Sequence, residues 1–212
     1  MRPFPCALAA LLLAVSLALI PGLAPAARGT APQPVWQPLG PSEPAPARRL
    51  ALSPTFAADG TAFAWDDLQG RALWKTTDGG DTWQATGTFP YLAQVKAVAV
   101  SPAYAADQTL LVGTWTQGLF RSTDGGRSWV PVNQGLSDRE IRALAFSPAF
   151  ATDRTIVVAA KTSIFRSLDG GEHWAPFGAA MPGTSVAGME AVAFSPHYGQ
   201  DRTILAGGPS AL

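Results

Sequence analysis

Cysteine is nearly absent. Cys6 is the one cysteine of 212 residues, and it stands ahead of an apolar run from Ala7 to Ile20. Arg2, that run, Pro21-Gly22 and the small residues Ala24-Pro25-Ala26 read as a secretory signal over residues 1–26, with cleavage near Ala26 or Ala27. The run is shorter than the ~20 residues a helix needs to cross a bilayer. The expectation is a secreted or periplasmic protein, roughly 185 residues long once processed. Cys6 leaves with the signal, which excludes disulfides and thiolate chemistry from the mature chain. Net charge is also missing: 15 Lys and Arg balance 15 Asp and Glu. A chain with no net field and no basic run is a poor partner for nucleic acid. Histidine is scarce, and His173 and His197 lie apart with no zinc or triad spacing around them. No cofactor and no metal is expected. Helical periodicity is absent outside the signal, which points to an all-β fold.

What is present is repetition. Thr76-Thr77-Asp78-Gly79-Gly80-Asp81-Thr82-Trp83 recurs as Ser122-Thr123-Asp124-Gly125-Gly126-Arg127-Ser128-Trp129 and as Ser167-Leu168-Asp169-Gly170-Gly171-Glu172-His173-Trp174. The spacing from Asp78 to Asp124 to Asp169 is 46 and then 45 residues. A second phrase keeps the same register: Ser53-Pro54, Ser101-Pro102, Ser147-Pro148 and Ser195-Pro196, each followed by an aromatic residue, then by Asp and Thr (Asp59/Thr61, Asp107/Thr109, Asp153/Thr155, Asp201/Thr203). Two phrases with one period define a structural repeat.

Within one repeat, Ile141 to Ser147 alternates apolar and small residues and stops at proline, reading as a first strand. Thr155 to Ala160 is β-branched and reads as a second, Ser163 to Ser167 as a third, and Trp174-Ala175-Pro176-Phe177 as a fourth. Four short strands per period are the arithmetic of a propeller blade. The predicted organisation is a β-propeller of four-stranded antiparallel blades: blade 1 over 49–94, blade 2 over 95–140, blade 3 over 141–188 and a partial blade 4 over 189–212. Residues 27–48 form an N-terminal segment in which Val35-Trp36-Gln37-Pro38-Leu39-Gly40 matches the fourth strands. That segment is expected to close a ring from the other terminus, removing exposed sheet edges. Three full blades and half of another fall short of a ring, so the sequence is expected to be the front part of a longer protein; the alternative is that copies self-associate to close one.

The eight-residue phrase suits the hairpin between third and fourth strands. Glycine takes the positive φ of a tight turn, aspartate accepts the turn's own N–H groups, and the preceding Ser or Thr ties in the entering strand while Trp packs beneath. Thr76, Asp78, Gly80 and Trp83, with Ser122, Asp124, Gly126 and Trp129 and with Ser167, Asp169, Gly171 and Trp174, are thus read as structural. A catalytic carboxylate is needed once or twice in a site, not once per blade.

The pattern Ser/Thr-x-Asp-x-Gly-x-x-Trp resembles the Asp-box, or bacterial neuraminidase repeat, of sialidases, sortilin-type receptors, xyloglucan-cleaving glucanases and photosystem II assembly-factor propellers. The resemblance spans nearly the whole mature chain and implies the propeller fold without choosing among those activities. His173 stands where the other copies carry Thr82 and Ser128. The Phe/Tyr-Arg-Ile-Pro motif of sialidases is missing.

Alternate loops of a meander emerge at opposite ends of a blade. Both repeated phrases fall at one end, and the loops that differ between blades fall at the other, where specificity is expected. Candidate ligand contacts there are Trp65, Trp115, Gln117 and Tyr91. Asp66 and Asp67 are weak catalytic candidates, since neighbours on a strand point to opposite faces. Lys75, Arg121 and Arg166 recur at one strand position and are read as a repeated scaffold contact. The expected function is a non-enzymatic propeller module binding a protein or glycan ligand. The alternatives are a glycoside hydrolase of sialidase or xyloglucanase type, and an assembly factor for a membrane-bound complex.

Overall fold

The computed structural model describes residues 47–66, 72–87, 94–178 and 189–208. They form three four-stranded antiparallel sheets and one two-stranded sheet, each meandering in chain order, and the set is not closed into a ring. The first sheet comprises β1 (Arg49–Leu52), β2 (Ala62–Trp65), β3 (Leu73–Thr76) and β4 (Gln84–Ala85). The second comprises β5 (Val95–Val100), β6 (Leu110–Thr114), β7 (Leu119–Ser122) and β8 (Val130–Pro131). The third holds β9 (Ile141–Phe146), β10 (Ile156–Ala160), β11 (Ile164–Ser167) and β12 (Ala175–Pro176), and the last pairs β13 (Ala191–Phe194) with β14 (Ile204–Gly207). This is the arrangement of a partial propeller-like fold. The closing segment at Trp36 lies outside the described residues.

Each first strand stops at the Ser-Pro pair because proline lacks the N–H needed to continue the ladder. The second strand of each full sheet is buried along its whole length, including Phe63, Leu111, Val112 and the Ile156–Ala160 run. Neighbouring sheets meet through their first strands, β1 on β5, β5 on β9 and β9 on β13. Interlocked apolar side chains fill the space between sheets: Phe63, Tyr104, Leu110 and Phe120 in one cluster, and Leu119, Ile141, Phe150 and Phe165 in the next. The first and last sheets have a described neighbour on one side only. Leu50, Leu52 and Leu205 are accordingly exposed.

The sequence shows no helical periodicity, yet each Ser-Pro loop contains one helical turn: Phe56–Asp59, Tyr104–Asp107, Phe150–Asp153 and Tyr198–Asp201. Four residues are too few to display a period. The turn is held by the aspartate, whose carboxylate accepts the serine hydroxyl six residues earlier (2.6 Å for Ser53, Ser101 and Ser147, 2.5 Å for Ser195). Its other oxygen accepts the backbone N–H of the following threonine at 2.8–2.9 Å. The turn ends in the left-handed region, at Gly60 once but at Gln108, Arg154 and Arg202 elsewhere, with φ of 49–53° at the three non-glycine positions. Each of those residues donates its N–H to the carbonyl of the aromatic residue that opens the turn.

Candidate functional site

The repeated phrases build one end of the molecule. In the second hairpin, Ser122 Oγ donates to Asp124 Oδ1 at 2.7 Å and accepts the buried Gly126 N–H at 2.8 Å. Asp124 also accepts the backbone N–H of Arg127 and Ser128 and, at 2.5 Å, the Ser128 hydroxyl. Thr76 and Asp78 repeat the set with Thr82, and Ser167 and Asp169 repeat it with His173, whose Nδ1 lies 2.8 Å from Asp169 Oδ2. The imidazole nitrogen replaces the hydroxyl, so the most divergent copy keeps the same bond. Two glycines per hairpin adopt positive φ, 72° and 93° at Gly125 and Gly126. Trp83 Nε1 donates to Gly80 O at 3.0 Å, whereas Trp174 Nε1 crosses to Val132 O at 2.8 Å.

These carboxylates are consumed by the turn. The Thr82 hydroxyl above all, then the Thr82 N–H and the Thr76 hydroxyl, hold Asp78 well below the usual carboxylate range. The Ser128 hydroxyl does the same for Asp124 against a smaller opposing effect of burial. Burial pushes Asp169 up, but the His173 N–H, the Ser167 hydroxyl and the His173 ring together bring it to about 2. Each hairpin also leans on the Ser-Pro loop of its own sheet, through Gly79 N–H to Gly60 O, Gly125 N–H to Gln108 O and Gly170 N–H to Arg154 O. Lys75 Nζ reaches Gly125 O at 3.1 Å and Arg121 Nη1 reaches Gly170 O at 2.9 Å. At Lys75 and Arg121 the recurrent cation therefore fastens one sheet to the next, whereas Arg166 stacks on Phe177 of its own repeat.

The opposite end carries a groove of about 390 Å³, lined by the starts of the first strands and by two tryptophans. Among the described residues its charged lining is Arg49, Lys96, Arg142 and Glu190. Lys96 and Arg142 sit there because the ladders slip. Val95 pairs with Thr114 and Ala97 with Gly113, leaving Lys96 as an extra residue, and the jump from Ala159↔Ala143 to Ala160↔Ile141 does the same for Arg142. A bulge bends the strand and re-aims the side chain. Both re-aimed cations come to Trp115, Lys96 Nζ 4.6 Å and Arg142 Cζ 5.1 Å from its ring centre, within the reach of a cation–π contact. Trp115 is 38% exposed. Arg142 in turn holds two carboxylates, Glu140 at 2.6 Å through Nη2 and Glu190 at 3.2 Å through Nη1. Glu140 is also paired with Lys161 at 3.1 Å.

Of the residues expected at this end, Trp65 and Trp115 share the groove, but in different roles. Trp65 is 5% exposed, with Nε1 directed at Lys96 O at 3.4 Å, so it forms the floor and offers no flat surface. Gln117 donates its backbone N–H to Thr114 Oγ1, accepts Asn133 Nδ2 at its carbonyl, and borders a separate hollow with Pro131 and Arg139. Asp66 is buried and lies 3.6 Å from Arg48 Nε. Asp67 and Tyr91 lie outside the described residues. The variable loops do meet: Asp138 Oδ2 accepts the N–H and hydroxyl of Thr162 at 2.8 and 2.6 Å.

Lys96, Arg142, Glu140 and Glu190 were not singled out by the sequence patterns. A signal was present, because five positions before each Ser-Pro serine stand Arg48, Lys96, Arg142 and Glu190, a charged column at or just before the start of each first strand. Among the described residues no group of three or more His, Cys, Asp or Glu side chains is placed to hold a metal ion.

No protein-family model and no curated protein sequence matches the chain. Solved structures resemble it. The GH74 enzyme of Niastella koreensis is 22% identical over 70% of this chain and 24% of its own, with a TM-score of 0.51. The computationally designed Ika4 protein is 13% identical over 82% of this chain and 94% of its own, at 0.55. YCF48 bound to D1 peptide is 17% identical over 69% and 44%, at 0.49. The chain thus spans about a quarter of the length of the GH74 enzyme. The likenesses to the GH74 enzyme and to Ika4 support a propeller-like, repeat-built fold and leave catalytic activity unassigned.

Proposed function

We propose that this chain is a glycan-directed part of a propeller of the glycoside-hydrolase scaffold type, built on Asp-box hairpins, with its ligand in the groove around Trp115. The observation that carries this reading is the groove itself. A partly exposed tryptophan, two cations and two carboxylates meet at the variable-loop end, while Asp78, Asp124 and Asp169 at the other end are engaged in their own turns. Fold likeness to a GH74 enzyme supports a carbohydrate ligand ahead of an assembly role. The assignment is tested by incubating the purified chain with xyloglucan, β-glucan and acidic polysaccharides, and measuring both retention and release of reducing ends. Retention that is lost in Trp115→Ala supports it. Absence of retention on every glycan refutes it.

Whether the module also cleaves its ligand turns on the carboxylates. A glycosidase places two of them on either side of the scissile bond, one of them kept protonated by its surroundings. Asp66, Glu140 and Glu190 are each paired with an arginine. Release of reducing ends that disappears in Asp66→Asn or Asp67→Asn would instead establish the hydrolase.

A further inference from the structure

We infer that the groove selects a carboxylate-bearing polysaccharide, a chain of uronate residues, over a neutral glycan; this rests on the glycan-directed reading above. The first ground is charge. The chain as a whole is neutral, yet among the described residues the groove is lined by Arg49, Lys96 and Arg142 and by one carboxylate, Glu190. A concave surface of one sign concentrates ligands of the other.

The second ground is the backbone. Two separate β-bulges, in adjacent sheets, turn Lys96 and Arg142 out of the alternating pattern and onto the same tryptophan. The first sheet, which has no such slip, pairs Arg49 with Trp65 in regular register. The bulges occur at the two cations that meet on Trp115.

The third ground is the state of the tryptophan and the arginine. The face of Trp115 is already in contact with Lys96 and Arg142, so a neutral sugar stacking there must displace a cation, whereas a uronate gains from those same cations. Arg142 already grips a carboxylate in the required manner. Glu190 is 60% exposed and held at 3.2 Å, and such an exposed pair is worth little and is easily exchanged. A ligand carboxylate replaces Glu190 on Nη1, and Glu140, more deeply set, keeps Nη2 in place.

The test is binding of the full chain to polygalacturonate and to neutral xyloglucan, by affinity electrophoresis or calorimetry at low and at raised salt. Polygalacturonate is expected to bind preferentially and to weaken as salt screens the contact. Arg142→Gln weakens that binding by about 10-fold or more, the loss expected for a hydrogen bond to a charged group. Lys96→Gln weakens it as well, and Glu190→Gln tightens it by removing the competing carboxylate. The thermal midpoint of each variant is measured alongside, and Glu190→Gln gives a gain of binding that misfolding cannot produce. Equal binding of both polymers, insensitive to salt, overturns the uronate preference while leaving the glycan-directed reading intact. Binding of neither polymer overturns both.

Discussion

Replacing Ser122 by alanine removes one oxygen from the second hairpin, and the structure allows the cost to be worked out. The Ser122 side chain is 1% exposed. Its Oγ accepts the Gly126 N–H at 2.8 Å and donates to Asp124 Oδ1 at 2.7 Å. Without it, the Gly126 N–H is buried with no acceptor, a loss of about 1–3 kcal/mol. The bond to Asp124 adds about 1 kcal/mol, because that carboxylate is partly exposed and water takes over the vacancy. The expected destabilisation is therefore about 2–4 kcal/mol. Urea unfolding followed by tryptophan fluorescence measures it as a shift in midpoint at unchanged slope. The molecule supplies its own control, since Thr76 occupies the equivalent place in the first hairpin and makes the same two bonds. Ser122→Thr should stay within about 1 kcal/mol of the parent. A Ser122→Ala protein within about 0.5 kcal/mol of the parent would refute the view that the hydroxyl organises the turn.

Tyr104 is a buried aromatic whose hydroxyl has no hydrogen-bond partner among the described residues, and burial, with Asp59 nearby, pushes its pKa up to about 12; Phe56 and Phe150 hold the equivalent positions. Tyr104→Phe is expected to raise stability by about 0.5–2 kcal/mol in the same unfolding assay, since it relieves an unpaired polar group. Gly135 has φ of 84°, and a Cβ there would stand 2.1 Å from the Trp174 carbonyl oxygen. Gly135→Ala should cost about 2 kcal/mol or more, read as a lowered urea midpoint. Asp169 is depressed to about 2 from an unfolded value of about 3.9. Its contribution to stability is thus fully present above about pH 4 and is lost as pH falls through about 2. Carbon-detected NMR titration should find its midpoint near 2, and a midpoint near 4 would contradict the hydrogen-bond geometry at His173.

The repeats made the sheets legible because period and turn chemistry are local properties. The alternating run at Ile141 and the β-branched run before Ala160 became β9 and β10, and glycines of the repeated phrase took the left-handed conformations that tight turns require. The single helical turns were not legible, being held by a serine-to-aspartate bond over six residues instead of by an apolar period. The groove was only half legible. Its end of the molecule followed from where loops vary, and Trp115 was a candidate. The bulges were hidden, because a one-residue slip leaves the composition of a strand unchanged while redirecting Lys96 and Arg142. Gln117, two residues from Trp115, belongs to another hollow because the chain reverses between β6 and β7.

The account divides the molecule into a fastening end and a binding end, and two arginines separate them. Arg127 lies in the second hairpin and Arg142 in the groove. Polygalacturonate binding should be measured for the parent chain, Arg142→Gln and Arg127→Gln, three proteins in which the two variants lose the same charge. Loss of affinity in Arg142→Gln alone is the predicted result. An equal loss in both variants, or a loss confined to Arg127→Gln, would contradict the division.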